Sequence, residues 1–458
     1  MIVLINPRYQ PSFQPPLGLA YLAAYLKKQG HHDVQIIDTT FERLEDRLSM
    51  VTTPEMFGIY IMTPYYAGAH KTVEFLRKRF PGVPIIAGGP HPTVAPEDTL
   101  TRLQIPICVR GEGEYTILEL VNAIKNGSDL SNVQGVSYID PVRKQIVHTH
   151  AREPIPNLDD LPFPSRELLP MDSYLRGGTE SAFSYRNIRA TTMITSRGCP
   201  FSCSYCQPTL NQIFGKKVRS RSVDNVIEEI AQLIHNFSIK GIFILDDTFT
   251  FNKNFVIQFC EEVLRRNFNL QFAINSRVNT IDEEMLTILK KAGVVTIMYG
   301  IESGNQTVLD NIKKKITIEQ IRKAIISTKN KGINVYGYFM IGSPEESLSS
   351  LKDTFSLVRK LPFDEVQFSM ATPYVGTYLY DEACSLNLID DLSAMERGGY
   401  FSSIVMRSRY LSTEEIKKYH RYFNLFSRYK SIKNLILKHP FSIPSFLSNK
   451  LFPNWFSR

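Results

Sequence analysis

Cys199, Cys203 and Cys206 stand in the run Thr195-Ser196-Arg197-Gly198-Cys199-Pro200-Phe201-Ser202-Cys203-Ser204-Tyr205-Cys206, a C-x3-C-x2-C spacing. Three thiolates on one short loop suit three irons of a [4Fe–4S] cluster, which ordinarily takes four cysteines. One iron is then left open to a substrate or a cofactor. A structural zinc would ask for four ligands, commonly in two pairs. Cys108, Cys260 and Cys384 lie far away in apolar or helical contexts and form no second pair. They read as small core hydrophobes. Six cysteines in 458 residues are too sparse for a disulfide framework.

The apolar, β-branched run Ala190 to Thr195 places the cysteine loop after the C-terminal end of a strand. Five more strand–helix units follow. The predicted strands are Gly241–Leu245, Phe272–Ile274, Val294–Met298, Val335–Ile341 and Glu365–Met370. They run into Asp246-Asp247-Thr248, Asn275-Ser276-Arg277, Tyr299-Gly300-Ile301-Glu302-Ser303-Gly304, Gly342-Ser343-Pro344-Glu345-Glu346 and Ala371-Thr372-Pro373. Polar or glycine-rich tips recur where each strand ends, and in a βα barrel that end is the catalytic face. Residues 191–390 therefore read as a partial (β/α)6 barrel. Residues 1–140 read as an α/β doubly wound domain, with buried strands at Ile2–Ile5, Val34–Ile37, Met56–Met62, Ile85–Ala87 and Ile107–Val109 and helices between them. Ligands of such sheets bind beyond the carboxyl ends of the strands. Those ends lead into Asn6-Pro7, Thr63-Pro64, Gly88-Gly89-Pro90-His91 and Arg110-Gly111-Glu112-Gly113-Glu114. Pro154, Pro156, Pro162, Pro164 and Pro170 are too dense for a helix or a central strand, so residues 141–190 read as a linker.

The cysteine motif, with Tyr205 just before the last thiol, resembles the signature of radical S-adenosylmethionine (SAM) enzymes. The N-terminal pattern, with the entry Pro15-Pro16-Leu17-Gly18-Leu19-Ala20-Tyr21-Leu22-Ala23 and the run Gly88 to Glu97, resembles the cobalamin-binding domain that precedes many of them. The resemblance covers about residues 1–390. It implies that the open iron chelates the amino and carboxylate groups of SAM, with Tyr205 near the adenine. Glu302 would accept from the ammonium or the ribose diol, and Gly300 and Gly304 would let backbone pass close. Arg219, Arg221 and Arg277 are the cationic candidates for the SAM carboxylate, and Asp246 a further contact. On the cobalamin side it implies Asn6, Thr63, Gly88, Gly89, His91, Gly111 and Glu112. None of the nine histidines sits in the D-x-H-x-x-G pattern of proteins that ligate cobalt through histidine. The implied cobalamin is therefore held without a protein histidine on the metal.

The implied reaction is reductive cleavage of SAM to methionine and a 5′-deoxyadenosyl radical, fed by a low-potential electron donor, followed by cobalamin-dependent methylation of an unactivated carbon. The alternatives are radical cyclisation, rearrangement or C–S bond formation with the first domain as scaffold, or an iron–sulfur redox sensor without turnover. No Ser/His/Asp arrangement suggests hydrolysis.

Composition agrees with a large globular enzyme, at 43% hydrophobic and 21% charged residues. The chain opens directly on a strand without a basic leader, and the cytoplasm is the expected compartment. The last acidic residue is Glu415. Lys417, Lys418, Arg421, Arg428, Lys430, Lys433, Lys438, Lys450 and Arg458 follow it, interleaved with Tyr419, Tyr422, Phe423, Phe426, Tyr429, Phe441, Trp455 and Phe456. Residues 391–458 thus read as a helical, basic region that accounts for much of the net charge of +8. Such a segment suits an anionic membrane surface or a helix packed back on the barrel with a solvated basic face; the substrate is expected to be a small molecule, or a lipid if the tail docks on a membrane. No recognised nucleic-acid-binding motif accompanies the charge.

Overall fold

The computed structural model describes residues 1–8, 14–177, 183, 188–396 and 405–438. The chain folds into two compact units that it enters more than once. The first takes Met1–Tyr174, Ser196–Ser222 and Thr372–Val405; the second takes Leu175–Thr195, Val223–Ala371 and Met406–Arg458. Among the described residues no helix is long and apolar enough to cross a membrane.

The first unit is built on β1 (Ile2–Asn6), β2 (Val34–Asp38), β3 (Met56–Tyr60), β4 (Ile85–Gly88), β5 (Ile107–Val109), β6 (Val136–Ile139) and β7 (Ile146–His148). The strand order is β2-β1-β3-β4-β5-β6-β7. The first five strands are parallel, as their near-continuous apolar runs require. Helices Leu17–Lys28, Tyr66–Arg79 and Glu114–Asn126 cover them, the last stopped by Gly127 in the left-handed region. The order reverses at β1 and β3, which marks the place where such sheets bind ligands. β6 and β7 add an antiparallel edge. Within residues 141–190, read as a linker, the chain forms β7 and the short helix Met171–Gly177. β7 is three residues long and half exposed, so it carries too little apolar alternation to register in sequence.

The chain then continues through β8 (Ala190–Met193), the short strands β9 (Ser196–Arg197) and β10 (Arg219–Ser220), and β11 (Gly241–Ile244), β12 (Gln271–Ser276), β13 (Val294–Glu302), β14 (Asn334–Ile341) and β15 (Glu365–Met370). β9 and β10 pair antiparallel within the first unit. The others form the sheet of the second unit in chain order, β8-β11-β12-β13-β14-β15, all parallel. This is the expected partial (β/α)6 barrel. Its helices start at capping side chains: Asn252, Asp282, Thr317 and Ser347 each accept from a first-turn N–H, the last two as capping boxes.

β15 is an edge strand, whose free backbone groups invite pairing with other chains. Here the helix Thr413–Lys438 covers it. His420 Nε2 lies 2.9 Å from the Phe368 carbonyl, Ser427 Oγ donates to Val366 O at 2.5 Å, and Asn434 Nδ2 donates to Asp364 O at 2.5 Å. The three side chains recur every seventh residue, on the stripe of the helix that faces the strand. The helical expectation for the C-terminal region holds as far as residue 438; the aromatic tail after it, with Phe441, Lys450, Trp455 and Arg458, lies outside the described residues. Asn434→Leu leaves the Asp364 carbonyl without its donor and should cost about 1–3 kcal/mol of stability. Denaturant titration checks this, and an unchanged midpoint would show that the contact carries no weight.

Candidate active site

The cysteine loop belongs to the first unit, and four features hold it. Arg197 and Ser196 pair with Arg219 and Ser220 across β9 and β10. Gly198 sits at φ +94°, where a Cβ would come 3.1 Å from the Lys217 carbonyl oxygen. The loop closes on itself, with Cys206 N and Gln207 N donating to Cys203 O at 3.1 and 3.0 Å. Residues 378 and 379 then bind its back: Leu379 N donates to Ser204 O at 2.9 Å and Tyr378 N to Gln207 O at 2.8 Å. Cys203 is buried, while Cys199 and Cys206 are half-buried. The Ser204 hydroxyl is buried without a protein partner. Cys108 and Cys260 are fully buried, and burial pushes each thiol up to about 12, as befits core residues. Among the described residues no three His, Cys, Asp or Glu converge on a single ion. A cubane cluster asks for something else, one thiolate on each of three irons.

Beside this loop two carboxylates and two guanidinium groups are buried together. Arg197 donates to Glu112 at 2.7 Å and to Glu114 at 2.5 Å. Arg219 grips both oxygens of Glu112, at 2.9 and 3.1 Å, and also reaches the carbonyls of Ile155 and Phe214. Ile155 N donates to Glu112 at 2.7 Å. Sequence reading assigned Arg219 to SAM and Glu112 to cobalamin. The structure instead gives each to the other, because two isolated strand-end charges become a balanced set once the loop after β5 meets the ribbon. Arg197 went unnoticed, although its position two residues before Cys199 was a usable signal. Arg221 is buried with its guanidinium 5.4 Å from the Phe163 ring centre, and Tyr205 is half-buried in the loop.

At the ends of the parallel strands of the first unit, Asn6 Nδ2 donates to Asp38 at 3.0 Å. Gly88 closes β4, and Gly89 turns at φ +113°, where a Cβ would lie 2.8 Å from the Ile61 carbonyl oxygen. Gly111 N donates to Thr93 Oγ1 at 3.1 Å. His91 is buried and committed at both nitrogens, Nδ1 lying 3.0 Å from Thr63 Oγ1 and Nε2 3.2 Å from Asp98. Burial works to raise the Asp98 carboxyl, but the bond from His91 and the Arg102 guanidinium outweigh it and hold it low.

The strand tips of the second unit carry their own network. Asp246 is buried and accepts from Thr195 N at 2.7 Å and Thr195 Oγ1 at 2.5 Å, so it ties the end of β8 to the end of β11. Asp247 stands exposed. Glu302 adopts φ +70°, rare for a residue with a side chain, where the register between β13 and β14 shifts. Its carboxylate accepts from Lys314 Nζ at 2.7 Å. Lys314 is 4% exposed; sequence reading missed it because Lys313-Lys314-Lys315 looks like a solvated charge run. Arg277 donates to the carbonyl of the same Lys314. Gly300 lies against this pair, where a Cβ would meet Glu302 Oε1 and Lys314 Nζ at 2.9 Å. Gly304 has another task. A Cβ there would fall 2.6 Å from Thr354 Cα, so this glycine lets the helix Leu348–Lys360 pack close.

Residues 10–121 match the B12 binding domain family and residues 193–358 the Radical SAM superfamily. The chain belongs to the radical SAM enzymes that carry an N-terminal B12-binding domain. Over 437 residues it is 36% identical to an uncharacterized methyltransferase of Pyrococcus horikoshii, covering 94% of this chain and 92% of that one. It is 32% identical to the anaerobic magnesium-protoporphyrin IX monomethyl ester cyclase of Rubrivivax gelatinosus, over 83% of this chain and 69% of the cyclase. Among solved structures, the radical SAM methyltransferase TsrM of Kitasatospora setae, with tryptophan and a SAM analogue bound, superposes with a TM-score of 0.71 at 20% identity, over 85% of this chain and 77% of that one. The cobalamin-dependent enzyme OxsB with aqua-cobalamin bound gives 0.67 at 21% identity, over 94% of this chain and 61% of that one. The two structures share the fold.

Two tests follow from the buried charges. Glu112→Gln leaves two guanidinium groups against one carboxylate and should cost about 3–5 kcal/mol; the pairing of Glu112→Gln with Arg219→Gln should recover part of it. Chemical denaturation of the variants measures both, and strict additivity would deny the coupling. Burial pushes the Glu346 carboxyl up to about 7, against donors at Ser350 and Gly342 that lower it. Its usual value is 4.5, so the folded state holds this proton more tightly than the unfolded one. The stability it contributes is complete below about pH 4.5 and is lost as pH rises through about 7. Glu346→Gln should therefore match the parent near pH 5 and exceed it near pH 8, by up to a few kcal/mol. Thermal melts at both pH values decide, and parallel curves would refute the assignment.

Proposed function

We propose that this enzyme is a cobalamin-dependent radical SAM methyltransferase that acts on an unactivated carbon. The observation that carries the reading is the cysteine loop: three cysteines in the radical SAM spacing, on a loop pinned from both sides, with the buried Ser204 hydroxyl left for a partner other than protein. That donor set fits a [4Fe–4S] cluster, held by Cys199, Cys203 and Cys206. The cradle at Gly88, Gly89 and Gly111 fits a corrin approached through backbone. His91 is occupied at both nitrogens, which fits a cobalamin without a histidine on its metal. When bound, the cluster supplies the electron for reductive SAM cleavage and the corrin supplies methyl-transfer chemistry.

The chain's own residues hold and orient. Tyr205 stands beside the cluster ligands. At the barrel tips Glu302, paired with Lys314, presents an acceptor for the SAM ammonium or ribose diol, and Gly300 leaves room next to it. Asp246 fixes the β8 and β11 ends from which the cysteine loop departs in sequence. Arg219 and Glu112 satisfy each other and are not carried into the cofactor contacts. A low-potential electron donor serves the cluster. The substrate is a small molecule or a lipid.

Anaerobic reconstitution followed by turnover with methyl-labelled SAM tests the proposal. Expected are roughly stoichiometric corrinoid, 5′-deoxyadenosine, and label in the product, with Cys203→Ala losing cluster and product together. SAM cleavage with neither corrinoid nor label transfer would overturn it in favour of the ring-forming chemistry named for the Rubrivivax relative.

A further inference from the structure

The helix Thr413–Lys438 carries two faces of opposite character. One face, with Ile416, His420, Phe423 and Ser427, packs on the barrel. The other exposes Tyr422 (52%), Leu425 (65%) and Tyr429 (64%), an apolar ridge at i, i+3 and i+7. Lys418, Arg421, Arg428 and Lys433 are exposed along the same stripe. Glu414 and Glu415 are exposed in the first turn; no acid follows them, so from Lys418 onward the charge on this face is cationic only.

Next to the ridge lies a groove of about 580 Å³ between this helix and Leu348–Lys360. Its floor is aromatic: Phe355 stacks on Phe423 at 5.1 Å and meets Tyr422 at 5.2 Å. Its rim is basic, with Lys352, Arg359 and Lys360 exposed. No acid lines it, and Asp353 on the same helix is turned to Asn305. Tyr422 belongs to both ridge and groove.

We propose that this ridge and groove form a docking surface for an anionic phospholipid bilayer. The tyrosines and Leu425 enter the headgroup zone, the flanking cations meet lipid phosphates, and the groove seats one phosphate headgroup at its rim with apolar chain over the Phe355 floor. Other occupants fit less well. A second copy of the chain would set cations against cations across a two-fold axis. The chain's own tail after residue 438 carries Lys450 and Arg458 and no acid, so it cannot neutralise the rim. A nucleic acid would satisfy the cations but offer nothing to Leu425 at the centre of the ridge. The ridge and groove share no residue with the cysteine loop or the candidate SAM and cobalamin contacts, so vesicle binding and methyl transfer can fail separately.

Co-sedimentation of the full chain with phosphatidylglycerol-containing vesicles, against pure phosphatidylcholine vesicles, tests it. Expected is partition to the anionic vesicles alone, lost in high salt. The triple variant Arg421→Gln, Arg428→Gln and Lys433→Gln should weaken partition on the order of 100-fold, about five-fold per cation. Leu425→Ser should weaken it at unchanged charge. Both variants alter exposed side chains only, and their melting temperatures should match the parent's. Equal partition to both vesicle types, partition that survives the triple variant, or binding to RNA that outcompetes the anionic vesicles would each overturn the proposal.

Discussion

Four charges buried together, on Glu112, Glu114, Arg197 and Arg219, set the geometry on which the first unit depends. A lone charge at such depth would cost several kcal/mol, and two matched pairs with further backbone bonds offset one another. The arrangement needs guanidinium groups. Arg197 bridges two carboxylates, and Arg219 spans both oxygens of one in a planar fork that a lysine point charge does not reproduce. The carboxylates come from the loop beyond β5, in the sheet that matches the B12 family. The arginines come from the ribbon that leads into and out of the cysteine loop. One network therefore ties the loop after β5 to the ribbon that bears the thiols.

The second unit uses the same economy at the tips of its barrel strands. Lys314 neutralises Glu302, its carbonyl takes Arg277, and the pair leans on Gly300. Asp246 spends both oxygens on Thr195. These groups are already oriented before any ligand arrives, so little reorganisation is left for the reaction itself.

Parallel strands were the most legible part of the sequence. Buried on both faces, β1–β5 and β11–β15 appear as short apolar runs ended by glycine or polar residues, and nearly every one can be placed from the chain alone. The cluster ligands were legible too, because their spacing is local. The fate of long-range charges was not. Nothing near Glu112 in the chain announces Arg219, 107 residues on. A burial pattern hidden inside three successive lysines gave no hint that the middle one is core. The antiparallel β6–β7 edge was lost for a different reason, since it is short, half-exposed and followed by a proline-dense stretch that dominates the local signal. Nor does a linear reading disclose that the first unit recovers residues 196–222 and 372–405 after the chain has begun the second.

The seventh-residue contacts of His420, Ser427 and Asn434 with the last barrel strand have a consequence for synthesis. The strand is made some fifty to seventy residues before the side chains that shield it. A nascent barrel thus has its strands while its outermost edge is still bare, until the helix Thr413–Lys438 leaves the ribosome. At that stage the half-finished chain is exposed to pairing with its neighbours on the same message, and the closing helix acts as the molecule's own late-arriving chaperone.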